Sequence, residues 1–245
     1  NDMRCLRDLV LTDPGDDKHR IERTKGGLLK DCYHWILNDP AYRQWLSGDE
    51  SGLLWIKGDS GKGKTMIVIG LVEELSKKIA KPRRGRSSIL SYFLCQGTDS
   101  RLNNAAAVLR GVIYLLASQQ LSLIHHLRAK YDNHGGPRLF DNPDAFYILS
   151  GVFLNMLRDL NMPVAYLMID ALDECEGNLY QLLDLIAQTT TIPSSKIKWI
   201  VSSRNRNEIE QHLVVMRSGW FQQNFPRVMG CRQCSVESTR GSSER

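Results

Sequence analysis

One stretch constrains this 245-residue chain more than any other: Gly58-Asp59-Ser60-Gly61-Lys62-Gly63-Lys64-Thr65, which matches G-x-x-x-x-G-K-[ST]. It follows an apolar run, Leu53-Leu54-Trp55-Ile56, and precedes a helical period, Val68, Leu71, Val72, Leu75 and Ile79. That is the strand–loop–helix context the motif needs. The first N–H groups of a helix have no partner within it, and a glycine-rich loop lets a ligand approach the backbone closely, so the two together form an anion cradle. Lys64 supplies a point charge for the β- and γ-phosphates of a nucleotide, and Thr65 a hydroxyl for Mg²⁺. Gly58 and Gly63 permit backbone angles or contacts that a side chain forbids.

Short apolar runs recur at 89–95, 165–169 and 197–201, each bounded by turn residues or charges and each of strand length. Helical periods lie between them. One holds Val108, Leu109, Val112, Ile113 and Leu116; another holds Leu149, Val152, Phe153, Met156, Leu157 and Leu160, expected to start at Asn142-Pro143; a third holds Leu179, Leu182, Leu183 and Ile186. Strands alternating with helices predict a parallel sheet with helices on both faces, an α/β three-layer sandwich. Residues 1–50 read as a helical leader, 51–216 as the core and 217–245 as a poorly ordered tail, because the strand–helix rhythm stops near Met216. The segment 129–143 is rich in Gly, Asn and Pro and reads as a surface excursion.

Two further strands end in chemistry. Ala165-Tyr166-Leu167-Met168-Ile169-Asp170 is an apolar run closed by a carboxylate, the arrangement that holds Mg²⁺ opposite a phosphate loop. Ala171-Leu172-Asp173-Glu174-Cys175 follows. Asp173 or Glu174 could orient or deprotonate an attacking water; alternatively, one of them caps a helix starting near Gly177. The third strand runs Lys198-Trp199-Ile200-Val201-Ser202-Ser203-Arg204. Strand C-termini of a parallel sheet share one edge, so Arg204 could reach a γ-phosphate, or simply open the next helix at the surface.

Composition excludes several classes. Net charge is +5, and the cluster at 77–86 holds more than all of that excess, so a dedicated nucleic-acid binder is not expected. The longest apolar stretches fall far short of the roughly 20 residues of a membrane span. Six scattered cysteines fit free thiols in a reducing compartment, here the cytoplasm. No charged-then-apolar leader opens the chain, so no signal peptide is expected, and Asn1 at the start suggests a fragment. Cys231 and Cys234 make half a zinc site. The basic stretch reads as a solvated helix end, and His125, His126 and His134, with no acidic or cysteine partner at ligand spacing, read as surface histidines.

Taken in order, the three motifs resemble a NACHT domain of the STAND class of P-loop NTPases. The specific part is Asp170, then small Ala171, then Asp173 and Glu174, with Ser202-Ser203-Arg204 similar to the sensor strand. The leader adds Thr12-Asp13-Pro14, Asp17-Lys18, Arg20-Ile21-Glu22, Thr24-Lys25-Gly26-Gly27-Leu28-Leu29 and Trp35-Ile36, which is similar to the segment preceding the NACHT domain of fungal NOD-like receptors, the vegetative-incompatibility proteins among them. The resemblance implies a sheet in which the sensor strand separates the Asp170 strand from the phosphate-loop strand. It further implies a regulated switch: ADP or GDP at rest, ATP or GTP with Mg²⁺ when active, slow hydrolysis, homo-oligomerisation, an N-terminal effector and C-terminal sensing repeats. The family's fifth core strand is not evident beyond Val214. Two other functions remain in view, a P-loop kinase and a truncated, non-enzymatic module that pairs with intact relatives.

Overall fold

The computed structural model describes residues 2–80, 87–192, 196–214 and 220–224. Its elements are α1 (Asp2–Leu9), α2 (Pro14–Thr24), α3 (Pro40–Ser47), β1 (Gly52–Lys57), α4 (Lys64–Ile79), β2 (Ser88–Leu94), α5 (Ala105–Gln119), α6 (Ile124–Asn133), α7 (Ala145–Leu157), β3 (Val164–Asp170), α8 (Leu179–Thr190), β4 (Ile197–Ser203), α9 (Asn207–Val214) and β5 (Trp220–Asn224). The strands form one sheet in the order β2-β3-β4-β1-β5, and every neighbouring pair is parallel. The sensor strand β4 therefore lies between β3 and β1, as the resemblance implied.

Parallel strands buried on both faces need apolar residues at successive positions, and β1 supplies them. Leu53 and Trp55 join one core with α1, α5, α6, α7, α8 and α9. Leu54 and Ile56 join the other with α4 and the leader residues Tyr33, Ile36, Tyr42 and Trp45. The leader is thus divided between the two faces: Cys5, Leu6 and Leu9 of α1 pack on the first, and the stretch from Tyr33 to Trp45 on the second. Tyr33 lies so close to α4 that a Cβ added at Gly70 would stand 2.2 Å from its ring. Lys198 in β4 is buried, and its ammonium donates to the carbonyls of Trp45 (2.9 Å) and Gly48 (2.6 Å), capping the end of α3.

At the β2 edge the Gln119 amide pairs with the backbone of Leu90. Its Oε1 accepts from the N–H at 3.1 Å, and its Nε2 donates to the carbonyl at 2.7 Å. A side chain thus occupies backbone groups that an edge strand otherwise leaves open.

Three expectations need correcting. The fifth strand exists: β5 pairs with β1 from Leu53↔Trp220 to Lys57↔Asn224, inside the segment read as tail. Its sequence, Trp-Phe-Gln-Gln-Asn, holds only two apolar residues and gives no run to detect. Residues 225–245 lie outside the described part. The segment 129–143 is not an excursion throughout. Leu127 and Tyr131, buried four residues apart, carry α6 on to Asn133, and a 3-10 turn at Gly136–Leu139 sinks Leu139 into the core. Finally, α7 begins at Ala145 rather than at Asn142-Pro143. Asn142 Oδ1 instead accepts from the Asp144 N–H in the preceding turn, and Leu160 stands beyond the helix, exposed.

Candidate functional site

The Gly58 N–H donates to the Ser203 carbonyl (3.3 Å), extending the β1–β4 ladder by one step. The chain then turns through Gly61 (φ 74°) and Gly63 (φ 77°), left-handed conformations that favour glycine. Gly63 caps α4 without any side-chain hydrogen bond, whereas α2, α3 and α5 are capped by the side chains of Asp13, Asp39 and Asn104. No atom lies within 4 Å of the point where a Cβ on Gly61 or Gly63 would stand. Asp59, Ser60 and Gly61 are exposed, and residues 62–65 half-buried. An uncapped N-terminus of a 16-residue helix facing open space is the setting in which an oxyanion is stabilised.

Lys64 folds back over the loop. Its Nζ donates to the carbonyls of Gly58 (2.6 Å) and Asp59 (2.8 Å). Burial lowers its pKa, opposed by the charges of Asp173 and Asp170.

Asp170 ends β3 with 2% of its surface exposed. Ile169 pairs with Val201, which sets Asp170 beside Ser202, and the Ser202 hydroxyl donates to Asp170 Oδ1. Burial raises the Asp170 pKa; hydrogen bonds from Ser202 and Thr65 and the charge of Lys64 act the other way. Thr65 and Asp170, the two expected Mg²⁺ ligands, therefore meet. A buried carboxylate disfavoured as an anion, next to a hydroxyl and an open anion cradle, fits a divalent cation bridging to phosphate.

Past Asp170 the chain reverses at Ala171, a non-glycine residue at φ 52°, whose N–H donates to Ser202 Oγ (2.9 Å). The turn Leu172–Glu174 drives Leu172 into the core and sets both acids above the strand ends. Asp173 Oδ1 accepts from the Arg204 N–H (2.8 Å); its Oδ2 lies 3.3 Å from Arg204 Nε but is not aligned for a hydrogen bond. Glu174 accepts from the Gly97 N–H (2.8 Å) and lies 3.5 Å from the Arg204 guanidinium. Neither acid caps α8, which starts at Asn178 with no side-chain cap, so that alternative is set aside. Arg204 is not a lone surface arginine opening a helix but the common partner of both acids. Beside them opens a cleft of about 600 Å³, bordered by Gly97, Glu174, Tyr180, Arg204 and Arg206.

The family described as "Nephrocystin 3, N-terminal" matches residues 31–204, a span that takes in every site residue above. Vegetative incompatibility protein HET-E-1 of Podospora anserina is 53% identical over 212 residues, 86% of this chain. The chain belongs to the NACHT-type family of fungal NOD-like receptors. This NACHT-type chain spans only 15% of that relative's length.

Other residues expected to matter fall in different places. Lys77 pairs with Glu74 (2.9 Å), while residues 81–86 of the basic stretch, and Cys231 and Cys234, lie outside the described residues. Among the described residues, Cys5, Cys95 and Cys175 are buried thiols outside any disulfide. No helix among the described residues is long and apolar enough to cross a membrane. His125 and His126 have no partner at ligand spacing in the sequence, but the fold brings Asp159, 33 residues from His126, to face both; His125 is exposed at the surface as expected, whereas His126 is mostly covered. Sequence reasoning also missed the Gly97 amide, the Ser202 hydroxyl and the Arg20–Gln96 hydrogen bond (3.0 Å) that ties α2 to the turn holding Gly97. Of these, only Ser202, a polar residue ending an apolar strand, left a local signal.

Proposed function

We propose that this NACHT-type chain is the nucleotide-binding switch module of a fungal NOD-like receptor acting in non-self recognition or programmed cell death. It takes ATP or GTP with Mg²⁺ and hydrolyses it slowly, with ADP or GDP in the resting state. The observation that carries this reading is the uncapped start of α4 beside the buried, hydroxyl-bonded Asp170. The amides of residues 58–65 would hold the phosphates, and Thr65 and Asp170 the Mg²⁺, which when bound supplies neutralising charge.

Lys64, already facing the loop, exchanges its two carbonyl partners for phosphate oxygens. Asp173 and Glu174 accept the proton of an attacking water or orient it, and Arg204, resting on both, reports the γ-phosphate. An arginine that holds both acids before the nucleotide arrives supports slow rather than rapid turnover. A kinase is disfavoured, because the segment that would have to serve as a lid is anchored by Leu139. In the whole receptor the module works in the cytoplasm with an effector domain, sensing repeats and further copies of itself.

The test is calorimetric titration of Mg²⁺ with ADP, ATP, GDP and GTP, alongside turnover of Asp173→Asn and Glu174→Gln. Saturable, Mg²⁺-dependent binding with slowed hydrolysis in at least one acid variant is expected. Equal binding by wild type and Lys64→Ala would refute the proposal, and no binding at all would leave the non-enzymatic module as the better reading.

A further inference from the structure

Away from the phosphate loop, on the opposite face of the sheet, a second group of side chains converges. His125 and His126 lie in the first turn of α6, and Asp159 stands just past the end of α7. His126 Nε2 is 2.8 Å from Asp159 Oδ2, and His125 Nε2 is 3.9 Å from the same oxygen. The two rings lie tilted by 39° to each other with centroids 3.8 Å apart. One ligand atom from each residue lies within 4.8 Å of the other two.

Consecutive helical residues point about 100° apart, so turning both rings toward one oxygen needs something to orient them. His125 Nδ1 meets the Ser122 carbonyl at 2.5 Å. With that nitrogen donating, the neutral ring keeps its lone pair on Nε2, and a backbone partner of this kind orients a metal-binding histidine. The Asn161 N–H occupies Asp159 Oδ1 (2.8 Å), and Oδ2 is the oxygen turned to the two imidazoles, hydrogen-bonded to His126 Nε2 (2.8 Å). That N–H and His126 hold the Asp159 carboxyl below the usual carboxylate range. The His126 and Asp159 side chains are 18% and 12% exposed, and His125 is 62% exposed, so the group has two walls and an open side for water.

We propose that His125 Nε2, His126 Nε2 and Asp159 Oδ2 bind a divalent transition-metal ion, with Zn²⁺ as the type ion and water completing its shell; the proton between His126 Nε2 and Asp159 Oδ2 passes through water to His126 Nδ1 as the ion takes its place. Two imidazoles and one carboxylate suit Zn²⁺, Ni²⁺ or Cu²⁺ rather than Mg²⁺. Ligand atoms around tetrahedral Zn²⁺ stand about 3.3 Å apart, given bonds near 2.0–2.1 Å. The observed 2.8 and 3.9 Å straddle that value and the third pair lies within 4.8 Å, so side-chain adjustments of roughly an ångström complete the set. The C-terminal end of α7 favours a cation here and the N-terminal end of α6 opposes one, so the helix termini roughly offset each other. A bound ion would fasten the start of α6 to the turn between α7 and β3.

The test is Zn²⁺ titration of the metal-stripped full chain in excess Mg²⁺, in a Cys231→Ser/Cys234→Ser background that removes the other thiol pair. Co²⁺ substitution, read by its visible spectrum, reports nitrogen ligation. One equivalent should bind and raise the Tm. His125→Ala and His126→Ala should each weaken binding by more than about tenfold, with their Tm in EDTA close to that of the background chain. Failure of the background chain to take up Zn²⁺, or an affinity in both histidine variants as high as that of the background chain, would overturn the assignment. His125 is largely exposed, so His125→Ala is the variant least exposed to any effect on folding.

Discussion

The two rims of the sheet handle buried polar groups in opposite ways. At the rim where the strands begin, no buried side-chain nitrogen or oxygen among the described residues lacks a partner. Lys198 gives its ammonium to two carbonyls, and Lys196 reaches Asp49 (3.3 Å). At the rim where the strands end, Asp170 is buried with only hydroxyls and Lys64 to offset its desolvation, Asp173 Oδ2 lacks an aligned donor, Ala171 sits in a left-handed conformation and α4 starts uncapped. The first rim is built for stability. The second is left incomplete in the way a site is when a ligand supplies the missing charge and acceptors.

This contrast can be broken or sharpened by substitution. The largest effect is expected from Lys64→Ala: Mg-nucleotide affinity falls by roughly a hundredfold or more, while Tm changes by only a few degrees, because its two hydrogen bonds lie within its own loop and buried Asp170 can take up a proton when the charge is removed. That is read by calorimetry and thermal melts on the same sample. Lys198→Met should behave oppositely. Stranding the Trp45 and Gly48 carbonyls should cost about 2 kcal/mol of stability in denaturant titration, with nucleotide affinity of the folded protein unchanged.

Asp170→Asn should separate the two properties within one residue. Because folding raises the Asp170 pKa, the contribution of this one group to the stability of the nucleotide-free protein is greatest below the unfolded-state value of about 3.9 and is lost as pH rises through the folded-state value. The amide removes that loss, so the variant should melt a few degrees higher than wild type at neutral pH, yet lose Mg²⁺-dependent binding. The smallest effect is expected from Asp39→Ala. It removes the cap of α3 and should cost about 1 kcal/mol, again without touching nucleotide affinity. Loss of binding in that variant would show that the leader and the site are not energetically separate.

The sequence was legible where the physics is local. Apolar runs located β1 to β4 because strands buried on both faces are built mostly from apolar residues, and the glycine loop and Asp170 followed from strand-end position. Pairings between distant residues left no such trace. Nothing in the period of α6 announces that His126 meets Asp159, and nothing near Glu174 points to the Gly97 amide. β5 escaped because a strand of five residues with three polar side chains has no apolar run, its place being set by pairing with β1. The leader reads as one helical block, yet its two halves pack on opposite faces, because α1 and the Tyr33–Trp45 stretch present apolar residues to different helices.

Hydrogen–deuterium exchange across the phosphate loop tests the central claim most directly. Adding Mg-nucleotide should slow exchange of the amides of residues 60–66 by at least about tenfold, since these N–H groups gain acceptors, and should leave the capped first turn of α3 unchanged. Binding that left the 60–66 amides unprotected would contradict the account.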